Sequence, residues 1–271
     1  MKRPIIHQLI LLFFFLSSPH LIGQSRIISL APSLTMNLYY LESEDKLIGC
    51  TSYCEIARQD KKPIVASAVK ANIEKVVSLK PDLVIASSIT SQETIDMVRK
   101  FDIRVEVFPT PKSFEEICGQ FLRLGKIIGK STLANEIINK SKTKVAQCIK
   151  ESKWTDPPKV FIQIGAKPLY AVISNTFMDD YIQFINAKNI AADLTIGTIT
   201  RESVIARNPD IIFVVTMGIL GEEEKENWSN ITSISASQAK QIFIIDSNMA
   251  CTPTPISFVK TLETIIALTS N

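Results

Sequence analysis

Two stretches decide the reading of this chain: "EKVVSLKPDLVIA" at residues 74–86 and "ESVIARNPDIIFV" at residues 202–214. Aligned from the first residue, they share a glutamate, a valine two places on, and Pro-Asp at places eight and nine. An apolar run follows in each. In the first copy Ile73, Val76, Val77 and Lys80 recur at helical spacing, and Pro81 stops the helix by disfavouring α geometry in the residue before it. Asp82 suits a turn, and "LVIA" is short and continuously apolar, as a buried strand is. Pro209, Asp210 and "IIFVV" repeat the pattern, so the same helix, turn and strand occur twice, 128 residues apart.

The duplication extends outward. "RIISLAPS" (26–33) and "KVFIQIGAKP" (159–168) read as buried strands ahead of each copy, and "RVEVFPT" (104–110) and "QIFIIDS" (241–247) as strands behind it. Apolar runs rich in β-branched residues alternating with helical segments predict α/β lobes built on parallel-rich sheets flanked by helices. The 271 residues suffice for two such lobes of about 120 residues each. Between them, one helix is predicted over about 113–128, a break at Gly129, and a second helix over about 131–153 with Leu133, Ile137, Ile138, Val145, Cys148 and Ile149 on its apolar face. At 1.5 Å per residue the second spans roughly 34 Å, a stiff spine rather than a linker. The expected organisation is a leader over 1–23, an N-terminal lobe over 24–128, a bridging helix over 129–155 and a C-terminal lobe over 156–271.

Lys2 and Arg3, an apolar run from Ile5 to Leu16, the polar "SSPH" and a small residue at Gly23 have the layout of a signal peptide, too short to span a membrane. Gln24 is the expected mature start, and with no cysteine at the cleavage point a lipid anchor is not expected. An exported, periplasmic protein follows. Cleavage would remove both histidines, His7 and His20, which argues against multi-histidine metal sites, histidine-ligated haem and an imidazole general base. No resident cofactor or metal is expected. With 46% hydrophobic residues, 21% charged and a net charge of +3, the composition is that of an ordinary globular protein. No basic patch points to nucleic acid.

"GKIIGKST" (125–132) only superficially resembles a phosphate-binding loop, because Leu124 stands where the first glycine belongs and no strand precedes it. It reads instead as the helix break, with Ser131 as N-cap. No G-x-S-x-G or H-E-x-x-H motif appears, so an enzyme is not expected. Cys50-x3-Cys54 is a weak metal signal alone, and Cys118 and Cys148 read as buried helix thiols.

"RIISLAPSLTMNLYYLESEDKLIGCTSYC", "NIEKVVSLKPDLVIAS", "VFIQIGAKPLY" and "ITRESVIARNPDIIFV" together resemble the periplasmic substrate-binding proteins of ABC importers for vitamin B12, ferric siderophores and haem, the last two segments most closely the B12-binding members. The resemblance covers essentially the whole mature chain. It implies two α/β lobes bridged by a single long helix, a small-molecule ligand between them, a monomer, and a membrane permease as partner. It assigns Glu74 and Glu202 to permease docking, where a carboxylate on each lobe meets arginines. The other reading makes each a first-turn glutamate stabilised by its helix.

Ligand contacts are then expected on loops at the carboxyl ends of strands. These are Pro32, Ser33, Tyr53, Cys54, Ala68, Val69 and Ser87 in the first lobe; Gly165 to Lys167, Thr216 to Gly218, and Asn248 to Thr252, Met249 and Cys251 among them, in the second. Tyr53 matches a tyrosine that contacts the corrin in B12-binding members, or is a rim residue touching nothing. Ala68 stands where those members have tryptophan, and Asn248 and Thr252 where they have aspartate and arginine. Their disulfide has no counterpart here. Cys54 and Cys251 are read three ways: independent thiols, a bridge across the lobes, or soft ligands to a metal in the cargo. A corrinoid is the leading ligand. A ferric siderophore would want several arginines where the loops clearly supply Lys167, and haem would depend on Tyr53, Met217, Met249 or a cysteine. From another class, an exported enzyme or metal-sensing module on the same frame is the alternative.

Overall fold

The computed structural model describes residues 26–67, 70–152, 154–215 and 219–270, so the expected leader lies outside the described residues. The first lobe contains β1 (Ile27–Ser29), α1 (Pro32–Tyr40), β2 (Leu47–Thr51), α2 (Glu55–Gln59), β3 (Ile64–Ala66), α3 (Ile73–Ser78), β4 (Leu83–Ser87), α4 (Gln92–Arg99) and β5 (Arg104–Phe108). Helices α5 (Phe114–Ile127) and α6 (Ser131–Glu151) follow. The second lobe contains β6 (Lys159–Ala166), β7 (Leu169–Ala171), α7 (Asp179–Phe184), β8 (Lys188–Asn189), α8 (Arg201–Arg207), β9 (Ile211–Val214), α9 (Ile219–Ser229), α10 (Ser235–Gln238), β10 (Ile242–Ile244), α11 (Ser247–Ala250) and α12 (Pro255–Thr269).

The repeated stretches fold alike. Asn72 caps α3 by accepting the Lys75 N–H at 2.9 Å, and Thr200 caps α8 by accepting the Ser203 N–H at 3.2 Å. At place seven of each copy the chain turns left-handed, at Lys80 and at Asn208, both with φ 47°. Lys80 therefore lies past the helix end rather than on the helical face. After the buried prolines, the N–H of Asp82 donates to Arg26 O at 2.9 Å and that of Asp210 to Lys159 O at 2.8 Å. These bonds dock the strand of each copy against the strand ahead of it: β4 pairs parallel with β1, Leu83 opposite Ile27, and β9 with β6, Ile211 opposite Val160.

The first sheet is parallel throughout, in the order β3-β2-β1-β4-β5. The second runs β10-β9-β6-β7, with β8 pairing β6 off this path. The symmetry breaks at β7, which pairs antiparallel with β6 across a tight hairpin. "GAKPLY", expected as a strand followed by a ligand loop, is that hairpin: a two-residue connection can only reverse the chain.

Helix α6 buries Ala134, Ile138, Ser141, Val145 and Cys148, a single stripe, while Leu133 and Ile137 are half-buried and Ile149 is exposed. Ile138, Val145 and Cys148 of the expected face lie in that stripe, and Leu133, Ile137 and Ile149 flank it. Lys130, not Ser131, occupies the N-cap, without a side-chain bond, after the left-handed Gly129 at φ 77°. Nor does α6 stand alone. Helix α12 packs along both α6 and α5, and one continuous apolar cluster includes Leu34, Leu83 and Phe121 together with Ile162, Phe213 and Phe258. At its centre Phe258 lies 4.6 Å from Phe114 and 4.5 Å from Tyr181, ring centre to ring centre. The Phe114 N–H donates to the Asp180 carboxylate at 2.6 Å, from α5 to α7, while burial raises the Asp180 pKa.

Candidate functional site

Parallel strands end together, and their carboxyl ends deliver loops to one edge of the sheet. In the first lobe that edge holds a cavity of about 250 Å³ at the ends of β1, β2, β3 and β4. Its apolar lining residues are Leu30, Ala31, Pro32, Ala66, Ala71 and Ile89, and its hydroxyl-bearing ones Thr51, Tyr53, Ser67, Ser87, Thr90, Ser91 and Thr94. Among the described lining residues Lys70 is the only charged one. Such a wall suits a largely neutral ligand with a broad apolar body and hydrogen-bonding groups at its periphery. Tyr53 and Ile89, 59% and 81% exposed, stand at the rim with aromatic and aliphatic surface still in water.

The loop after β4 is built for rigidity. Ser88 Oγ lies 3.0 Å from Thr110 Oγ1 and accepts the Thr110 N–H at 3.0 Å, tying it to the end of β5. Ser91 caps α4 by accepting the Thr94 N–H at 3.3 Å.

Of the residues expected to touch ligand, Pro32, Tyr53 and Ser87 line this cavity, and Ser33 sits half-buried in the first turn of α1. Ala68 and Val69 lie outside the described residues, as do Thr216 to Gly218. Cys54 does not reach the cavity. It is 2% exposed, with its sulfur 3.0 Å from Thr35 Oγ1 and 3.2 Å from Thr51 Oγ1. A thiol in that position backs the wall rather than forming it, because helix α2 starts at the next residue and turns the side chain into the core. The soft-ligand reading of Cys54 meets this burial directly. Cys251 is exposed, and all five cysteines are free thiols.

The second-lobe candidates do not line this cavity. Gly165 lies within β6 opposite Tyr170, where a β-carbon would come within 3.1 Å of Tyr170 Cβ. Lys167 is exposed at the hairpin turn. Asn248 and Met249 belong to α11, which Asp246 caps through the Asn248 N–H at 2.9 Å, and Cys251 follows it.

Glu74 and Glu202 occupy equivalent exposed positions in the first turns of α3 and α8. Glu202 is held below the usual glutamate range by its own backbone N–H, the Thr200 hydroxyl and neighbouring Arg201.

Behind Glu202 lies a network that sequence reasoning missed. The Arg201 guanidinium meets the Glu224 carboxylate at 2.7 Å and lies 4.2 Å from the Trp228 ring centre. Gln163 donates to Glu224 at 2.8 Å and accepts from Trp228 Nε1 at 2.6 Å. Gln163 and Trp228 are fully buried, and Glu224 is 4% exposed. No motif announces four residues from three separate elements. The hydroxyl-rich wall did leave a signal: "SSITSQET" (87–94) follows a buried strand directly, yet only Ser87 was singled out.

Two α/β lobes joined through a shared helical core thus carry a cavity at the strand ends of the first lobe. Residues 27–249 match the family described as periplasmic binding protein, and the chain belongs to that family. Among curated relatives, an uncharacterized ABC transporter substrate-binding lipoprotein of Bacillus subtilis (strain 168) is 31% identical over 220 residues, covering 77% of this chain and 69% of its own. A vitamin B12-binding protein of Photorhabdus laumondii is 27% identical over 210 residues, 75% of this chain and 76% of its own. Among solved structures, the periplasmic vitamin B12 binding protein of Vibrio cholerae superposes with a TM-score of 0.77 at 22% identity, over 91% of this chain and 96% of its own. The periplasmic heme binding protein of the same species gives 0.80 at 19% identity, over 90% and 98%.

Proposed function

We propose that this chain is the substrate-binding protein of an ABC importer, exported to the periplasm, which captures a corrinoid between its lobes and hands it to the membrane permease. The observation that carries the ligand class is the cavity lining: seven hydroxyl-bearing residues, an apolar floor and one cation. A polyanionic chelate would want several cations there, whereas a corrinoid presents a broad ring with an amide-rich periphery. Tyr53 then lies against the ring, with Pro32, Ser33 and Ala68 beside it; Gly165, Lys167, Asn248, Met249 and Cys251 approach from the opposite lobe. Glu74 and Glu202, alike in sequence, capping and exposure, dock the two lobes onto arginines of the permease. The protein works as a monomer, with lobes over 24–128 and 156–271 and the spine between them.

The test is titration of the purified protein with cyanocobalamin, haemin and ferric siderophores, followed by tryptophan quenching or calorimetry. Saturable binding of cyanocobalamin at or below micromolar concentration is expected. Binding of haemin or a ferric chelate in its place moves the chain to another ligand of the same importer class, and binding of none removes the ligand assignment.

A further inference from the structure

Strand β2 pairs irregularly with β3 between Cys50 and Thr51. Such a bulge breaks the alternation of side chains along a strand. Cys50 ends 0% exposed in the same apolar cluster that holds Cys54. From Cys50 the chain runs Thr51-Ser52-Tyr53 to Cys54 and closes as a turn, with the Cys54 N–H donating to Thr51 O at 3.1 Å. Two of the three enclosed residues, Thr51 and Tyr53, line the cavity. The other thiols are dispersed: Cys118 on α5, Cys148 on α6 and Cys251 after α11.

We propose that Cys50 and Cys54 are a disulfide site that, when oxidised, closes a ring around Thr51, Ser52 and Tyr53 and fixes the cavity wall; the dithiol form is the one described above. The oxidant is a disulfide, of a protein or a small molecule, met in the exported compartment. Both sulfurs are buried in the closed form, so a local opening of the turn comes first; Cys54 as thiolate then attacks one of the oxidant's sulfurs, forming a mixed disulfide and expelling one thiolate. Cys50 then loses its proton and attacks the Cys54 sulfur, expelling the second. One S–S bond forms in the protein and one breaks in the oxidant, which leaves as two thiols carrying the two electrons and two protons. The environment divides the roles accordingly. The Cys50 thiol beside it, with the Thr35 and Thr51 hydroxyls, holds Cys54 below the ordinary thiol range against its burial, while Cys54 and burial push Cys50 up. In the dithiol the Thr51 hydroxyl is engaged with the Cys54 sulfur at 3.2 Å. A disulfide sulfur is a poorer partner, so oxidation turns that hydroxyl toward the ligand and restrains the turn that presents Tyr53.

The compartment rests on the exported role proposed above; the chemistry does not, and the experiment needs no ligand. The full chain is refolded from denaturant and equilibrated in glutathione buffers of increasing oxidised fraction. It is then alkylated under denaturing conditions and mapped by peptide mass. The expected result is three alkylated cysteines and a bond between Cys50 and Cys54. Five alkylated cysteines at every ratio overturn the proposal, as does a bond that uses Cys118, Cys148 or Cys251 instead. Amide exchange on both forms of the wild-type chain tests the consequence. Residues 51–55 should exchange about tenfold more slowly when oxidised, and equal rates would remove the role in fixing the wall.

Discussion

Tyr53 is the residue on which the ligand assignment presses hardest. The residue is 59% exposed at the cavity rim. Tyr53→Ala should therefore leave thermal stability within about 0.5 kcal/mol, as surface changes do. It should weaken cyanocobalamin binding about tenfold, the worth of a stacked aromatic face. Tyr53→Phe should hold the affinity within about twofold, because the face and not the hydroxyl makes the contact; calorimetry on the two variants separates these outcomes. Glu224 gives a residue-scale prediction of another kind. Burial pushes its carboxyl up, but Gln163, Arg201 and Asn227 together outweigh burial and hold it below the usual range. A carboxylate depressed in the folded state contributes stability that is complete above its unfolded pKa and is lost as pH falls through the folded value. Melting temperature should thus stay level from pH 7 to about 5 and drop below about 4.5, and Glu224→Gln should flatten part of that drop. Arg201→Met, which strands the buried carboxylate, should cost about 2–3 kcal/mol in denaturant unfolding at pH 7. That is less than for a fully buried pair because Arg201 keeps part of its surface in water.

At the scale of elements, the repeated helix, turn and strand was almost wholly legible. Glu, the buried valine, Pro-Asp and the apolar run each have one local job, and both copies perform it with matching caps and the same φ before the proline. The left-handed residue itself was not legible, because lysine and asparagine there leave no glycine to announce the turn. It yields a prediction: Lys80→Gly should stabilise by about 0.5–1 kcal/mol, lysine being strained at positive φ where glycine is not. A melt raised by about 2 °C or more checks it. What the sequence hid was whatever depends on pairing between elements. The reversed β7, the burial of Ala134 and Ser141 on α6 and the turning of Cys54 into the core each follow from a neighbour that one-dimensional periodicity does not identify. The cavity was half legible for the same reason: strand ends pointed to Pro32, Tyr53 and Ser87, while Lys70, Ile89 and Thr94 come together only once β3 and β4 are placed.

At the scale of the whole molecule, the aromatic cluster around Phe258 matters most. It joins α5, α7 and α12, so both lobes draw on one core. Phe258→Ala should cost about 3–5 kcal/mol. Because the loss is shared, the protein should still unfold in a single transition, coincident when followed from probes in either lobe. The sequence suggested a lone spine between two lobes; the packing of α12 along α5 and α6 makes the join broader and stiffer than that. Transport adds the partner's test. Uptake should fall in Glu74→Ala, fall in Glu202→Ala and be abolished in the double variant, with cyanocobalamin affinity unchanged throughout.

The bond from the Asp82 N–H to Arg26 O has a practical side. It fixes the start of β1 at the amino edge of the first sheet, and the Arg26 side chain reinforces the spot by donating to Lys80 O at 2.9 Å. The cavity opens at the other end of the same strand. A tag, support or tether joined directly ahead of Arg26 would hold the molecule by its base and leave the mouth pointing away. Immobilised in that orientation, the protein should retain full capacity in a surface-binding assay.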